Sequence, residues 1–298
     1  MKVYDCTLYH DEDLILDLRL NILSKFIDKF VICESRFSHS GREKKLNFDI
    51  NNFSKFKDKI IYLVLDSEPK GLLFNESSEG KKELPEYYRH NAIRRIAHQR
   101  NKLIDGLKDA ENNDFILYSD NDEIPNLENF NFKTFNKKYI LFKQKLFYYK
   151  FNLHLDRISW YGTKGCKKKY LLSFEKLRQI KPKIYPFYRI DTFFKFDKQI
   201  SLNIVNNGGW HFTRLQTPED IHLKELDAEH HDEYRLSGKN INKIRELIKN
   251  RKIDHDHFAD TKKSKYGQEF KLSKISINSL PKFIQENEEK YKEWFDYD

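Results

Sequence analysis

Apolar runs of strand length alternate with stretches that are apolar at helical spacing. Lys2 to Tyr9 predicts a strand. Asp11, Glu12 and Asp13 then open a helix, because acids favour a helix N-terminus, and Leu14, Leu18, Ile22 and Phe26 recur at helical spacing. Lys29 to Cys33 predicts a second strand, followed by Glu34 and Ser35, and Ile60 to Leu65 predicts a third. Strand, helix, strand in this order implies a parallel α/β sheet.

Residues 66–86 are polar, carry Pro69, Gly71, Gly80 and Pro85, and predict a mobile loop. A helix follows over 86–107, with Tyr87, Ile93, Ile96, Leu103 and Leu107 along one side. It leads into the apolar run Phe115-Ile116-Leu117. Tyr139 to Phe151 and Tyr185 to Phe196 are β-like, and Gly162 to Lys169 predicts a basic loop. Pro218 to Tyr234 predicts a helix with its proline at the start. From Asn240 onward short helices are expected, the last over Pro281 to Phe295. The chain therefore divides into an α/β unit over 1–238 and a helical C-terminal extension over 239–298. It shows no internal repeat.

Composition narrows the picture. The 298 residues suffice for one large domain or a domain with an appendage, and 39% hydrophobic with 15% aromatic content supplies a core. A net charge of +9 suggests an anionic partner such as a nucleotide, nucleic acid, phospholipid or phosphorylated glycan, although scattered lysine serves solubility equally well. Nucleic-acid binding needs basic residues interleaved with a stacking platform, and the aromatics near Tyr148 fit a core or a sugar-stacking wall better. No nucleic-acid partner is expected. Cys6, Cys33 and Cys166 have no CxxC spacing, so neither a disulfide framework nor a zinc site is expected, which fits a reducing cytoplasm. No apolar run approaches 18 residues, so at most peripheral membrane association is expected.

The candidate chemistry centres on Phe115 to Pro125. Its apolar run ends in Asp120, Asp122 and Glu123. Three acids within four positions repel one another and are tolerated best beside a cation; oxygen ligands suit Mg²⁺ or Mn²⁺. Their place after a strand matches the ligand-binding end of open α/β sheets. Alone, the Asp-x-Asp fits a solvated acidic turn. Arg100 and Asn101 on the preceding helix, Glu34 at a strand end and His211 beside Gly208 and Gly209 could join it. The glycines would let backbone approach a ligand closely. Carboxylate, imidazole and phosphate oxygens together suit Mn²⁺, and arginine is a forked donor to phosphate. Asp254-His255-Asp256-His257 could bind a metal or form a solvated loop. Lys167-Lys168-Lys169 with Tyr170 could meet anionic lipid or a phosphorylated acceptor, or be solvated.

Several segments in order carry a resemblance. They are Tyr4-Asp5-Cys6 with Glu12, Leu18-Arg19 and Leu23; Asp28 to Ser35 with Gly41; Gln99-Arg100-Asn101; Ser119 to Pro125; Trp160 with Gly162-Thr163; and Gly209 to Phe212 with Pro218-Glu219 and Lys224. With these the chain resembles glycosyltransferase family 17, which includes β-1,4-N-acetylglucosaminyltransferases that add a bisecting GlcNAc to N-glycans. The resemblance covers roughly residues 3–235. It implies a GT-A-type fold, a Rossmann-like mixed sheet flanked by helices, and inverting, metal-dependent transfer with UDP-GlcNAc as the usual donor. It implies that Asp122 binds Mn²⁺ or Mg²⁺ and that Asp120 meets the ribose, directly or through water. Glu123 would orient the sugar or loop, or cap a helix. His211 would contact the metal or diphosphate, or be a buried structural histidine. Arg100 and Asn101 would contact uracil or diphosphate, and Glu34 the uracil imide; surface and strand-end roles are the alternatives. Lys224 and His230 would close on the diphosphate or line a solvated helix face. Glu219 matches the family as general base, with Asp220 and Asp191 as other candidates. A glycan, glycolipid or glycoprotein would be the acceptor. A non-catalytic module binding nucleotide or glycan is the alternative function. Asn121 stands where a small or apolar residue is more usual. Animal members carry an N-terminal anchor and stem that this sequence does not show, so a cytoplasmic enzyme of bacterial or viral type is expected.

Overall fold

A computed structural model describes residues 1–73, 87–257 and 266–297. The expected loop and helix start at 74–86 lie outside the described residues. Strands β1 (Val3–Tyr9), β2 (Lys29–Ser35) and β3 (Ile60–Leu65) run parallel, with helix α1 (Asp13–Leu23) connecting the first two. Helix α2 (Tyr87–Lys102) continues as a 3₁₀ turn over Leu103–Leu107 and leads to β4 (Phe115–Ser119), which pairs parallel to β1. These strands read as continuous apolar runs because both faces are covered. Alternation then sorts each run onto two cores. Phe30, Ile32, Phe115 and Leu117 join α1 on one face, while Val31, Cys33, Ile116 and Tyr118 pack on the other with Leu103 and Leu107.

Beyond β4 the sheet becomes mixed. The next elements are β5 (Glu123–Pro125), β6 (Tyr139–Tyr148), β7 (Leu153–Lys167), helix α3 (Phe174–Arg178), β8 (Leu202–Val205) and β9 (Gly209–Thr213). Strand order is β3-β2-β1-β4-β7-β6-β9-β5, with β8 also paired to β6. The α/β class and the helix-flanked mixed sheet are therefore present. Helices α4 (Pro218–Asp227), α5 (His231–Leu236) and α6 (Ile241–Lys249) follow. The expected single helix over Pro218–Tyr234 is thus broken, its connection crossing Ala228 in extended backbone.

The tail is not wholly helical. Strands β10 (Lys252–His255) and β11 (Tyr266–Lys271) pair antiparallel, and β12 (Ser273–Lys274) adds to β7 of the main sheet. Helix α7 (Lys282–Glu286) and a 3₁₀ turn end the chain, burying Ile284 and Tyr291 in the core cluster that includes the α1 side chains. α1 is consequently covered on more than the predicted stripe: Ile15, Leu16, Leu18, Leu20 and Leu23 are all buried.

Two sequence expectations fail for instructive reasons. Gly162–Lys169 is mostly the end of the long strand β7, not a loop. Its glycines mark close packing. A Cβ on Gly162 would stand 2.2 Å from Gln144 Oε1 and 2.5 Å from the carboxyl carbon of Glu123. Gly162→Ala should cost about 1–3 kcal/mol as an overpacked core; thermal melting checks this, and an unchanged Tm would contradict it. Tyr185–Phe196 forms no strand; it is a turn region around a 3₁₀ segment at Ile190–Phe193, although Tyr185 itself is buried.

Candidate active site

The carboxyl ends of β1, β2 and β4 open into a cleft of about 250 Å³. Open α/β sheets bind ligands at this end. The Asp120–Asp122 turn forms one wall and the loops carrying His10 and His39 form others. A larger hollow of about 630 Å³ lies against Trp210 and the 278–286 segment, away from all the predicted site residues.

The acidic turn is held from beneath by Arg19. Both Arg19 and Asp5 are fully buried, and the guanidinium donates to Asp5 Oδ1 at 2.6 Å and Oδ2 at 2.7 Å. It also donates to the carbonyls of Glu123 at 2.8 Å, Asn121 at 3.3 Å and Asp120 at 3.4 Å, and to Ser119 Oγ at 2.9 Å. A planar five-donor group is what such a turn requires.

Register brings the late histidine to the turn. β9 pairs antiparallel with β5, Glu123 opposite His211 and Ile124 opposite Trp210. Alternation turns Trp210 to the other face, against the larger hollow. His211 Nε2 lies 3.1 Å from Asp122 Oδ2. Gly209 permits this pairing: it has φ +127°, and a Cβ would meet the Ile124 carbonyl at 2.2 Å. This glycine thus serves a strand pairing, where close approach to a ligand was expected.

The three acids do different work. Asp120 Oδ2 accepts from Arg178 at 2.8 Å and its Oδ1 from the Tyr118 hydroxyl at 2.8 Å. Burial alone would raise the Asp120 pKa, but Arg178, Arg100 and the Tyr118 hydroxyl hold it well below the usual carboxylate range. Glu123 is fully buried and accepts from the Asp120 N–H at 2.9 Å, the Trp160 indole at 2.6 Å and Arg178 at 3.1 Å. It is built into the turn and does not line the cleft. Arginine supplies the neutralisation for these two acids, which the sequence reading gave to a cation. Asp122 remains, facing the cleft and His211. Burial lowers the His211 pKa, but Asp122, Glu123 and Asp120 outweigh it and the net direction is up.

Lys224 of α4 reaches the same cleft and donates to Glu12 at 2.5 Å. Burial opposes its charge, yet Glu12 and Asp122 leave its pKa raised. His39 is driven down to about 3, first by burial and then by His10 and Arg100, so it is neutral at pH 7.

Of the predicted site residues, Asp120, Asp122, His211 and Lys224 line the cleft. The others are placed elsewhere. Glu34 is buried and saturated by Lys44, the N–H groups of Asn47 and Phe48, and the Tyr62 hydroxyl. Arg100 donates to the Tyr118 hydroxyl at 2.8 Å and to Glu175 at 2.9 Å, which places it behind Asp120. Asn101 is exposed and accepts from the Glu175 N–H at 3.3 Å. Glu219 is half-buried on the first turn of α4 and pairs with Arg245. His230 precedes α5 near Glu229 and Glu233. Arg178, His10 and His39 stand in no motif that points to the cleft. Arg178 sits on a five-residue helix with no motif around it, and only the fold carries it to Asp120.

The donor set fits a divalent cation of the weakly protein-bound kind. His211 Nδ1 and both amide atoms of Asn121 are buried with no hydrogen-bond partner among the described residues. Ordered water completes groups of this sort, since Nε2 and not Nδ1 faces Asp122 and the Asn121 amide nitrogen is a donor. Among the described residues no group of three or more His, Cys, Asp or Glu side chains forms a protein-only cage. One carboxylate with one imidazole suits a cation whose remaining ligands are water and phosphate oxygens.

Residues 1–180 match the family model described as glycosyltransferase family 17. Over 267 residues the chain is 25% identical to the beta-1,4-mannosyl-glycoprotein 4-beta-N-acetylglucosaminyltransferases of Rattus norvegicus and Homo sapiens. The matches cover 80% of this chain and 46% of each relative, so it spans about half the length of these curated relatives. Mammalian glycoprotein transferases as relatives overturn the expectation of a cytoplasmic enzyme of bacterial or viral type. Among the described residues, no helix is long and apolar enough to cross a membrane.

Proposed function

Because this chain belongs to glycosyltransferase family 17, we propose that it transfers N-acetylglucosamine from UDP-GlcNAc to a glycan hydroxyl. In this reading the sheet is a GT-A-type nucleotide-sugar fold. The observation that carries it is the Asp122–His211 pair, 3.1 Å apart, at the open end of the parallel strands. The relatives' names support GlcNAc as the sugar and a mannosyl-glycoprotein as the acceptor.

Asp122 and His211 would hold Mn²⁺ or Mg²⁺, which when bound supplies Lewis-acid neutralisation of the leaving diphosphate. Lys224 adds a fixed positive charge beside Asp122 for the same anion. Asp120, with one oxygen committed to Arg178 and the other to Tyr118, positions the turn; it meets the ribose only by sharing these partners. Glu123 and Trp160 brace His211, whose ring centroid lies 4.8 Å from the Trp160 ring. Attack on the anomeric carbon opposite the diphosphate inverts its configuration. Glu219 does not reach the cleft, so proton removal from the acceptor is not assigned to it.

A panel of nucleotide sugars with Mn²⁺, scored for sugar release and thermal shift, tests the reading. UDP-GlcNAc should give the largest stabilisation and turnover. A larger response to another donor would overturn the donor assignment, and stabilisation without turnover would favour a non-catalytic binding module.

A further inference from the structure

We infer that the segment from Leu172 to Lys198 is a docking surface for an anionic lipid bilayer. Four large apolar side chains stand in water within eight positions: Phe187 is 80% exposed, Tyr188 69%, Ile190 72% and Phe194 82%. Leu172 is also 63% exposed, and it shares a surface hollow with Phe196, itself 38% exposed. Isolated exposed apolar residues need no explanation, but a contiguous patch rimmed by polar residues marks an interaction site.

The segment is presented in order. Tyr185 is buried and anchors it, with Lys183, Arg189 and Lys198 over its ring. Asp191 ties Arg189 at 2.8 Å and also pairs with Lys198, and Lys181 pairs with Asp197 at 2.7 Å. Ile184 forms a backbone bridge to Gln199. The apolar tips thus project from a pinned turn region.

Charge decides the occupant. Residues 181–198 hold five basic side chains against two acidic ones, and exposed Lys176 lies over the Phe196 ring. Aromatic tips set among lysines match a bilayer interface, where rings sit at headgroup level and cations meet anionic lipid. A second copy of this chain is the poorer fit, since pairing the same face would oppose two basic rims on molecules of net charge +9. The Lys167–Lys169 run considered from sequence contributes less: Lys168 Nζ is spent on the carbonyls of Leu107 and Ala110. The proposal is independent of the transfer activity.

Co-sedimentation with phosphatidylcholine vesicles, with and without phosphatidylglycerol, tests it on the whole chain. The protein should pellet with the anionic vesicles and be released by salt. Phe187→Ser with Phe194→Ser, and separately Lys183→Glu with Lys195→Glu, should each lower partition by at least about tenfold. All four positions are exposed, but Lys183 lies over the Tyr185 ring, so Lys195→Glu alone, whose melting temperature should not move, controls for loss of that anchor. Equal binding to neutral and anionic vesicles, variants that pellet like the parent, or a dimer that the serine pair dissociates without lipid would each overturn the proposal.

Discussion

Arg19→Met should lower unfolding free energy by about 3–5 kcal/mol, because it leaves the Asp5 carboxylate buried without a partner. That is a large part of the roughly 5–15 kcal/mol that holds a domain folded. Urea unfolding at unchanged slope is the measurement. The Asp5→Leu, Arg19→Met double variant separates two roles. Replacing both members of a buried pair by apolar groups is often neutral or stabilising, so much of the lost stability should return. Activity should not return with it. Arg19 is also the donor to the carbonyls of Asp120, Asn121 and Glu123, and a hydrophobic pair supplies no such donor. A turn displaced by about 1 Å costs roughly 10²-fold in rate. We therefore expect kcat/KM near that level in a well-folded double variant. Full activity there would show that Arg19 only supports the fold.

This clamp also shows what the sequence could and could not disclose. Asp5 and Arg19 stand among the segments that carry the family resemblance, yet no local rule pairs them. Their contact depends on α1 crossing β1 in the folded sheet. The parallel strands were legible because burial on both faces leaves an uninterrupted apolar signature. The end of β7 was hidden by Gly162, Lys164 and Gly165, residues that ordinarily mark loops. There Lys164 is buried and donates to the carbonyls of Arg178 and Ile180, and burial followed by Arg178 pulls its pKa down to about 7. The place of Asp120 and Asp122 at the open end of the sheet was legible because their spacing follows a strand end. The division of work between them was not, since Arg178 arrives from a short helix that only the tertiary fold places. Glu219 illustrates the converse: a motif match in the right order, held outside the cleft by an exposed pairing with Arg245.

Asp122→Asn is the sharpest test of the proposed chemistry. The substitution keeps size and one hydrogen-bonding oxygen toward His211 while removing the charge. The backbone should not move, because the Asp122 carbonyl accepts from the Phe212 N–H at 2.9 Å within the β5–β9 pairing, and Arg19 holds the residues on either side. Melting temperature without ligand should therefore stay close to the parent's. Stabilisation by UDP-GlcNAc with Mn²⁺ should disappear, and kcat/KM should fall by about 10³-fold, equivalent to roughly 4 kcal/mol of lost charge stabilisation on the departing diphosphate. His211→Ala should produce a loss of similar size. Because both side chains would act through one cation, the double variant should be scarcely worse than either single one, a non-additivity that independent contacts do not produce. Two outcomes would remove the metal role from Asp122: turnover within tenfold of the parent in the asparagine variant, or single losses that multiply in the double variant.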